Sequence, residues 1–260
     1  MTSHVFPFGR PVEASPPSRT QPSAAFVLGA YPSGLHIRWT PPPEFGKPIR
    51  ALIVDNEPEP FWDGHGVEDL TDEWRRAVGW QAVWGRADAA PESNGPSGKR
   101  VNDHILAPLG LDRSTVCITD CLNTSRLNAN QAGRIADTYQ PFAQQVGLPE
   151  STLPAVPSGE NGIVTEAKHG HLDRLRAELS ACAPARIVTL GNAALRVLNH
   201  VVNTPDGLPK GISHDGYGTP IEVTFEDRPI ELLPLVHPRN GERHPVWSKT
   251  HTEWETTRKP

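Results

Sequence analysis

The sequence predicts an α/β fold of three layers, with helices on both faces of a mostly parallel sheet. Two features predict it: apolar runs of strand length recur along the chain, and segments with helical spacing lie between them. The runs are AAFVLG at 24–29, ALIV at 51–54, TVCIT at 115–119, ARIVTLG at 185–191 and IELLPLV at 230–236, all read as buried strands. IEVTF at 221–225 alternates in polarity and reads as an edge strand. VNDHILAPLG at 101–110 reads as a helix. So does Val164 to Cys182, where Leu172, Leu175, Leu179 and Cys182 fall three and four residues apart on one face. TLGNAALRVL passes through Gly191 into strong helix formers, which predicts a helix from Asn192 to Val201. Ligands of such sheets sit at the carboxyl ends of the strands, so the loops after Leu28, Thr119 and Val236 are where chemistry is expected.

A chain of 260 residues is long enough for one large domain. Residues 1–23 are rich in Pro and Ser without periodicity and read as an irregular arm wrapping the body; residues 24–260 read as a single domain. The stretch from 55 to 98 has little regular pattern apart from VEDLTDEWRRAVGW, a helix beginning near Asp69 or Thr71, and Trp62, Trp74, Trp80 and Trp84 crowd it. No run approaches the roughly 18 apolar residues of a membrane span, and MTSHVFPFGRPVE lacks the layout of a signal peptide, so a soluble cytoplasmic protein is expected. Cys117, Cys121 and Cys182 have spacings that suit neither a disulfide framework nor a four-ligand metal site; free thiols, no metal and no other cofactor are expected. A net charge of -5 argues against nucleic-acid binding over a broad basic surface and allows a small local footprint. Arg239, Arg243, Lys249, Arg258 and Lys259 gather toward the C-terminus.

Three loops carry chemical groups, and each also has an ordinary structural reading. FVLGAYPSG leaves its strand through Gly29, Pro32 and Gly34, which lets backbone N–H groups face a ligand or simply makes a tight turn. VCITDCLNTSR sets Asp120 and Asn123 just beyond a buried strand, where a polar side chain needs a partner or serves a ligand. PLVHPR presents His237 with Pro238 and Arg239 behind it, as a site residue or a surface histidine.

In this order the loops resemble the uracil-DNA glycosylase superfamily, most closely its bacterial branch that often carries an iron–sulfur cluster. The match runs from about Ala24 to Arg239, with a divergent insertion at about 55–92. A G-x-x-P loop is matched by Gly29, Ala30, Tyr31 and Pro32, and a Gly-x-Ser-Gly element by Gly95, Pro96, Ser97 and Gly98. An Ile-Thr-Asn strand end is matched by Ile118, Thr119 and Asp120, a Leu-Gly-x-x-Ala turn by Leu190, Gly191 and Ala194, and a His-Pro loop by His237 and Pro238. The resemblance implies a central four-stranded sheet, a monomer acting on DNA in a bacterial cytoplasm, and an enzyme that flips out a base and cuts its glycosidic bond. It assigns His237 to stabilise charge developing on the O2 atom of the departing base, and the loop from Gly29 to Ser33 to hold that base.

The departures are as informative as the matches. Where relatives read uracil with an asparagine, this chain has Asp120, which as a carboxylate accepts only and so suits the amino group of cytosine. Cytosine N3 is also an acceptor, so one shared proton is needed, and burial of the carboxyl would favour it. Where uracil-specific members close the pocket with a tyrosine after the loop proline, Ser33 leaves room for a 5-substituent. A 5-modified cytosine, such as the hydroxymethyl or glucosylated bases of disguised viral DNA, is therefore the expected target, since attack on ordinary cytosine would destroy the host genome. An ordinary uracil enzyme using Asn123, and a sensor that binds without cleaving, are the alternatives. The family's water-positioning residue falls at Ala30 or Tyr31, neither of them a carboxylate, so Asp55, Glu57 or Glu59 is expected to hold the water instead. Phe61 or Trp62 would supply the stacking ring, unless both belong to the core. Ser97, Arg239 and Arg243 are expected against DNA, and the cluster cysteines are absent.

Overall fold

A computed structural model describes residues 4–204, 207–239 and 244–258. Its strands in chain order are β1 (Ala25–Gly29), β2 (Gly34–Thr40), β3 (Ile49–Asn56), β4 (Arg86–Ala89), β5 (Val116–Asp120), β6 (Arg186–Leu190), β7 (Ile221–Phe225) and β8 (Arg228–Leu235). The helices are α1 (Val67–Ala77), α2 (Pro96–Val101), α3 (Ala129–Arg134), α4 (Gln140–Val146), α5 (Gly159–Gly170), α6 (Leu172–Cys182), α7 (Asn192–Leu198) and α8 (Pro245–Arg258). The chain forms two compact units, one of residues 1–15, 32–98 and 124–156, the other of residues 16–31, 99–123 and 157–260.

The second unit is the α/β body. Its sheet runs β5-β1-β6-β8-β7, with β5, β1, β6 and β8 parallel and β7 antiparallel at the edge. The sheet thus has five strands where the family resemblance implied four. IEVTF supplies the extra one: the two-residue turn Glu226–Asp227, with φ of 47° and 60°, folds β7 back on β8 as a hairpin. One apolar cluster covers a face of this sheet, joining Phe26, Leu28 and Ile187 to Leu175 and Leu179 of α6 and Ala194 and Leu198 of α7. The helix expected from Val164 to Cys182 is two helices. Gly170 and the non-helical His171 (φ -127°, ψ -9°) separate α5 from α6, so the shared apolar spacing continues across a break. The segment expected to be helical at 101–110 continues α2 through a wide turn at Asn102–Leu106.

The first unit has its own core and its own sheet, ordered β3-β2-β4 and antiparallel throughout. ALIV at 51–54 therefore belongs to an antiparallel hairpin with β2, not to the parallel sheet. The strand β2, Gly34–Thr40, is one the apolar runs did not mark, because His36 and Arg38 interrupt it. Phe8, from the N-terminal residues read as an irregular arm, sits at the centre of this core. Its ring lies 4.9–6.3 Å from those of Trp39, Trp74, Trp80, Trp84, Tyr139 and Phe142. Its N–H donates to the Tyr139 hydroxyl at 2.6 Å. The crowded tryptophans of the insertion are thus packing residues, Trp62 included. Among the described residues no helix is long and apolar enough to cross a membrane.

Candidate active site at the strand ends

In the five-stranded sheet the chain leaves β1 for β5 on one side and returns to β6 on the other. That reversal makes the carboxyl ends of β5, β1 and β6 the place where a parallel sheet opens a crevice. Asp120 closes β5 there, in register with Gly29. Its backbone is held tightly. Arg174 of α6 donates from Nη2 to the carbonyls of Asp120 (2.7 Å) and Cys121 (2.9 Å), and from Nη1 to Thr119 Oγ1 (3.2 Å) and Glu178 Oε1 (2.7 Å). The N–H groups of Cys121 and Leu122 donate to the carbonyls of Gly29 and Ala30.

The Asp120 carboxyl itself is only 3% exposed, and among the described residues neither oxygen has a hydrogen-bond partner. A buried carboxyl without a donor is costly unless it keeps its proton or meets a ligand. Burial raises its pKa to about 7, Arg174 opposing the rise and Glu178 adding to it. Two buried acids share one guanidinium here, and Glu178 takes the direct ion pair at 2.7 Å.

Past the end of β8, His237 is half-buried and its Nδ1 accepts the N–H of Arg239 at 3.2 Å. A backbone amide only donates, so this bond puts the ring's proton on Nε2. Burial, Arg239 and Arg100 hold the pKa at about 4, and the imidazole is neutral at pH 7. Between the two ends stands Tyr31, half-buried, whose phenol feels both Arg239 and Asp120 while burial raises its pKa. The ends of β5 and β8 are three interstrand steps apart, roughly 14 Å from backbone to backbone.

Gly191 makes the turn from β6 into α7 beside His237. Its φ of 94° and ψ of 166° lie where only glycine is at ease, and a Cβ there would meet His237 Cβ at 3.5 Å. Space is adequate; backbone conformation is not. Gly191→Ala is expected to lower stability by about 1–3 kcal/mol, read as a fall in the thermal or denaturant midpoint.

The second unit holds Gly29, Ala30, Tyr31, Asp120, Asn123, His237 and Arg239, of which Arg239 is exposed. Arg243 lies outside the described residues. The other expected site residues belong to the first unit. Pro32 is buried and Ser33 exposed, the Ser33 N–H donates to Glu57 Oε1 at 3.0 Å, and Ser125 Oγ donates to the Ser33 carbonyl. Asp55 is engaged by Arg10 at 2.8 Å and by the Asn56 N–H at 2.9 Å. Asp55 and Glu57, two of the three acids expected to hold water, therefore have partners that shape loops. Asp55 lies in β3, which stands in the antiparallel sheet rather than in the parallel one.

Phe61 is buried with a left-handed φ of 54°, and its carbonyl lies 2.1 Å from where a Cβ on Gly98 would stand. Glycine is required where α2 crosses that segment. Asn94, just before α2, accepts the His36 N–H at 2.9 Å and donates to the carbonyls of His36 and Ala90, both at 2.8 Å. Ser97 is half-buried in the first turn of α2. All three cysteines are buried free thiols.

Arg174 and Glu178 were not singled out from the sequence. Their signal is a charged pair four residues apart among the apolar positions of α6, where a solvated face would place them elsewhere. No protein-family model matches the chain, and no curated protein matches it.

Proposed function

We propose that the chain is a DNA glycosylase that extrudes a base and hydrolyses its N-glycosidic bond, and that the base is a 5-substituted cytosine. The observation that carries the reading is Asp120, a rigidly mounted, buried carboxyl whose two oxygens have no hydrogen-bond partner among the described residues, at the carboxyl end of a parallel strand, where α/β sheets bind ligands. A carboxyl that keeps its proton near pH 7 presents one donor and one acceptor side by side. That pair complements the N3 and N4 edge of cytosine with two hydrogen bonds.

In the reaction, the N1–C1′ bond breaks with its electrons passing to the base, and water oxygen bonds to C1′ and gives up a proton that ends on the departing base. Neutral His237, with its proton on Nε2, is a fixed donor for the O2 atom on which that charge gathers, and a neutral donor leaves the charge on the base rather than quenching a prior cation. Ser33 holds the sequence position where uracil-specific proteins carry a tyrosine and is exposed, which supports a target that carries a 5-substituent.

A second reading, a sensor that grips an extruded base without cleaving it, is favoured by the engagement of Asp55 and Glu57 in loop contacts. One assay separates them. Purified protein is incubated with duplexes containing uracil, cytosine, 5-hydroxymethylcytosine or glucosylated cytosine, and both binding and abasic sites are measured. Abasic sites on the 5-substituted cytosines alone support the enzyme; tight binding without abasic sites supports the sensor; release of uracil alone overturns the assignment of the base.

A further inference from the structure

The ladder between β6 and β8 ends at the pair Leu190 and Leu235, so Val236 is the first residue of the His237 loop beyond the sheet. Its N–H finds a side chain instead, donating to the Tyr217 hydroxyl at 3.3 Å. That hydroxyl lies 2.6 Å from Nδ1 of His251 on α8, and Nε2 of His251 lies 2.9 Å from the His104 carbonyl and 3.3 Å from Glu255 Oε1. Every proton in this chain can be assigned. A carbonyl and a carboxylate only accept, so His251 Nε2 carries the ring's hydrogen and Nδ1 is the acceptor. Tyr217 therefore donates its O–H to Nδ1 and uses an oxygen lone pair for the Val236 N–H.

The mounting is stiff. Tyr217 stands in a turn between Gly216 (φ 72°) and Gly218 (φ 69°), and Gly218 is pressed so closely on buried Trp254 that a Cβ would lie 2.1 Å from its ring. Glu255 also meets His104 Nδ1 at 2.9 Å, which fixes the far end of the chain. Burial favours the neutral form of His251, against the opposing pull of Glu255, and so keeps Nδ1 an acceptor at neutral pH.

We infer that Tyr217 and His251 are positioning residues for His237: they pin the peptide that enters the loop, so that His237 Nδ1 stays under the Arg239 N–H and the ring keeps one tautomer. Its catalytic consequence rests on the glycosylase reading; the positioning itself does not. Neither residue touches the base. The effect reaches it through one amide, and the alternative, a network that merely braces α8, makes different predictions.

The test uses the full chain carrying Tyr217→Phe, His251→Leu or His251→Asn, the last keeping an acceptor where Nδ1 stands. Amide exchange of Val236 and the ring nitrogen signals of His237 are followed without DNA, and single-turnover base release is followed with it. Tyr217→Phe and His251→Leu are expected to expose the Val236 amide to exchange, mix the His237 tautomers and slow release about tenfold at saturating DNA, with His251→Asn close to the parent. In a His237→Ala background Tyr217→Phe is expected to cost nothing further. Unchanged Val236 exchange and His237 signals, or the same tenfold loss without His237, would overturn the inference. If Tyr217→Phe does not fold, the contrast between His251→Leu and His251→Asn decides alone. Altered His237 signals in a protein whose His237→Ala variant releases the base at full speed would instead sink the glycosylase reading and leave the positioning intact.

Discussion

His237→Ala is expected to slow single-turnover release of the base by about 10²–10³-fold while leaving the unfolding midpoint near that of the parent, the usual cost of deleting one preorganised donor to a developing anion. The size follows from the tautomer. With Nδ1 occupied by the Arg239 N–H, the ring offers only Nε2–H, and its pKa of about 4 keeps it neutral through the range where DNA is stable. Such a donor strengthens its bond as O2 gains charge, so the loss should fall on the rate at saturating DNA and spare the affinity. His237→Gln, which can place an N–H near Nε2, should recover part of the rate. The linkage has a definite sign: a histidine whose folded pKa is depressed below 6.5 contributes stability above that value, lost as pH falls toward 4. His237→Ala should therefore flatten the decline of the unfolding midpoint between pH 6.5 and pH 4. An unchanged rate of release would remove His237 from the reaction.

The α/β body was legible because its parallel strands are covered on both faces and so read as uninterrupted apolar runs; Phe26, Leu28, Ile187 and Leu232 needed no pattern beyond hydrophobicity. The antiparallel sheet was not. His36 in β2 is buried, its N–H and C=O held by Asn94, a long-range polar contact that local periodicity does not encode. Phe8 was hidden for a related reason: a single aromatic in a Pro-rich segment shows no period, although its ring fills the centre of a core. At the candidate site, loop residues Asp120 and His237 were found from residue type and order. Their electrostatics came from α6 and from Arg239 and Arg100, whose positions depend on tertiary packing. Assigning Asp55 and Glu57 to water failed to anticipate Arg10 and the Ser33 N–H for the same reason.

The pH dependence of base release tests Asp120 more sharply than its removal does. With the carboxyl protonated below about pH 7, both hydrogen bonds to the cytosine edge form; once it ionises, the oxygen facing N3 meets a lone pair and one bond is lost. Release should fall about tenfold to a hundredfold as pH rises through 7, the worth of one hydrogen bond to a charged or nearly charged group. Asp120→Asn carries an amide that does not titrate, so this step should vanish. The amide can also offer N–H to a uracil O4 while accepting N3–H, so uracil release should emerge and persist at pH 8, where the parent carboxylate repels O4. Stability must move in the matching sense. A carboxyl whose folded pKa is raised above about 4 favours the fold fully at low pH and loses that contribution as pH rises through 7, so Asp120→Asn should gain up to a few kcal/mol over the parent at pH 8 and nothing at pH 4. Glu178→Gln should shift the step in the parent to lower pH, since the negative charge that raises the Asp120 pKa is gone while Arg174 remains. A parent profile flat from pH 5 to pH 9 would mean that Asp120 does not face the base, whatever the identity of the base released.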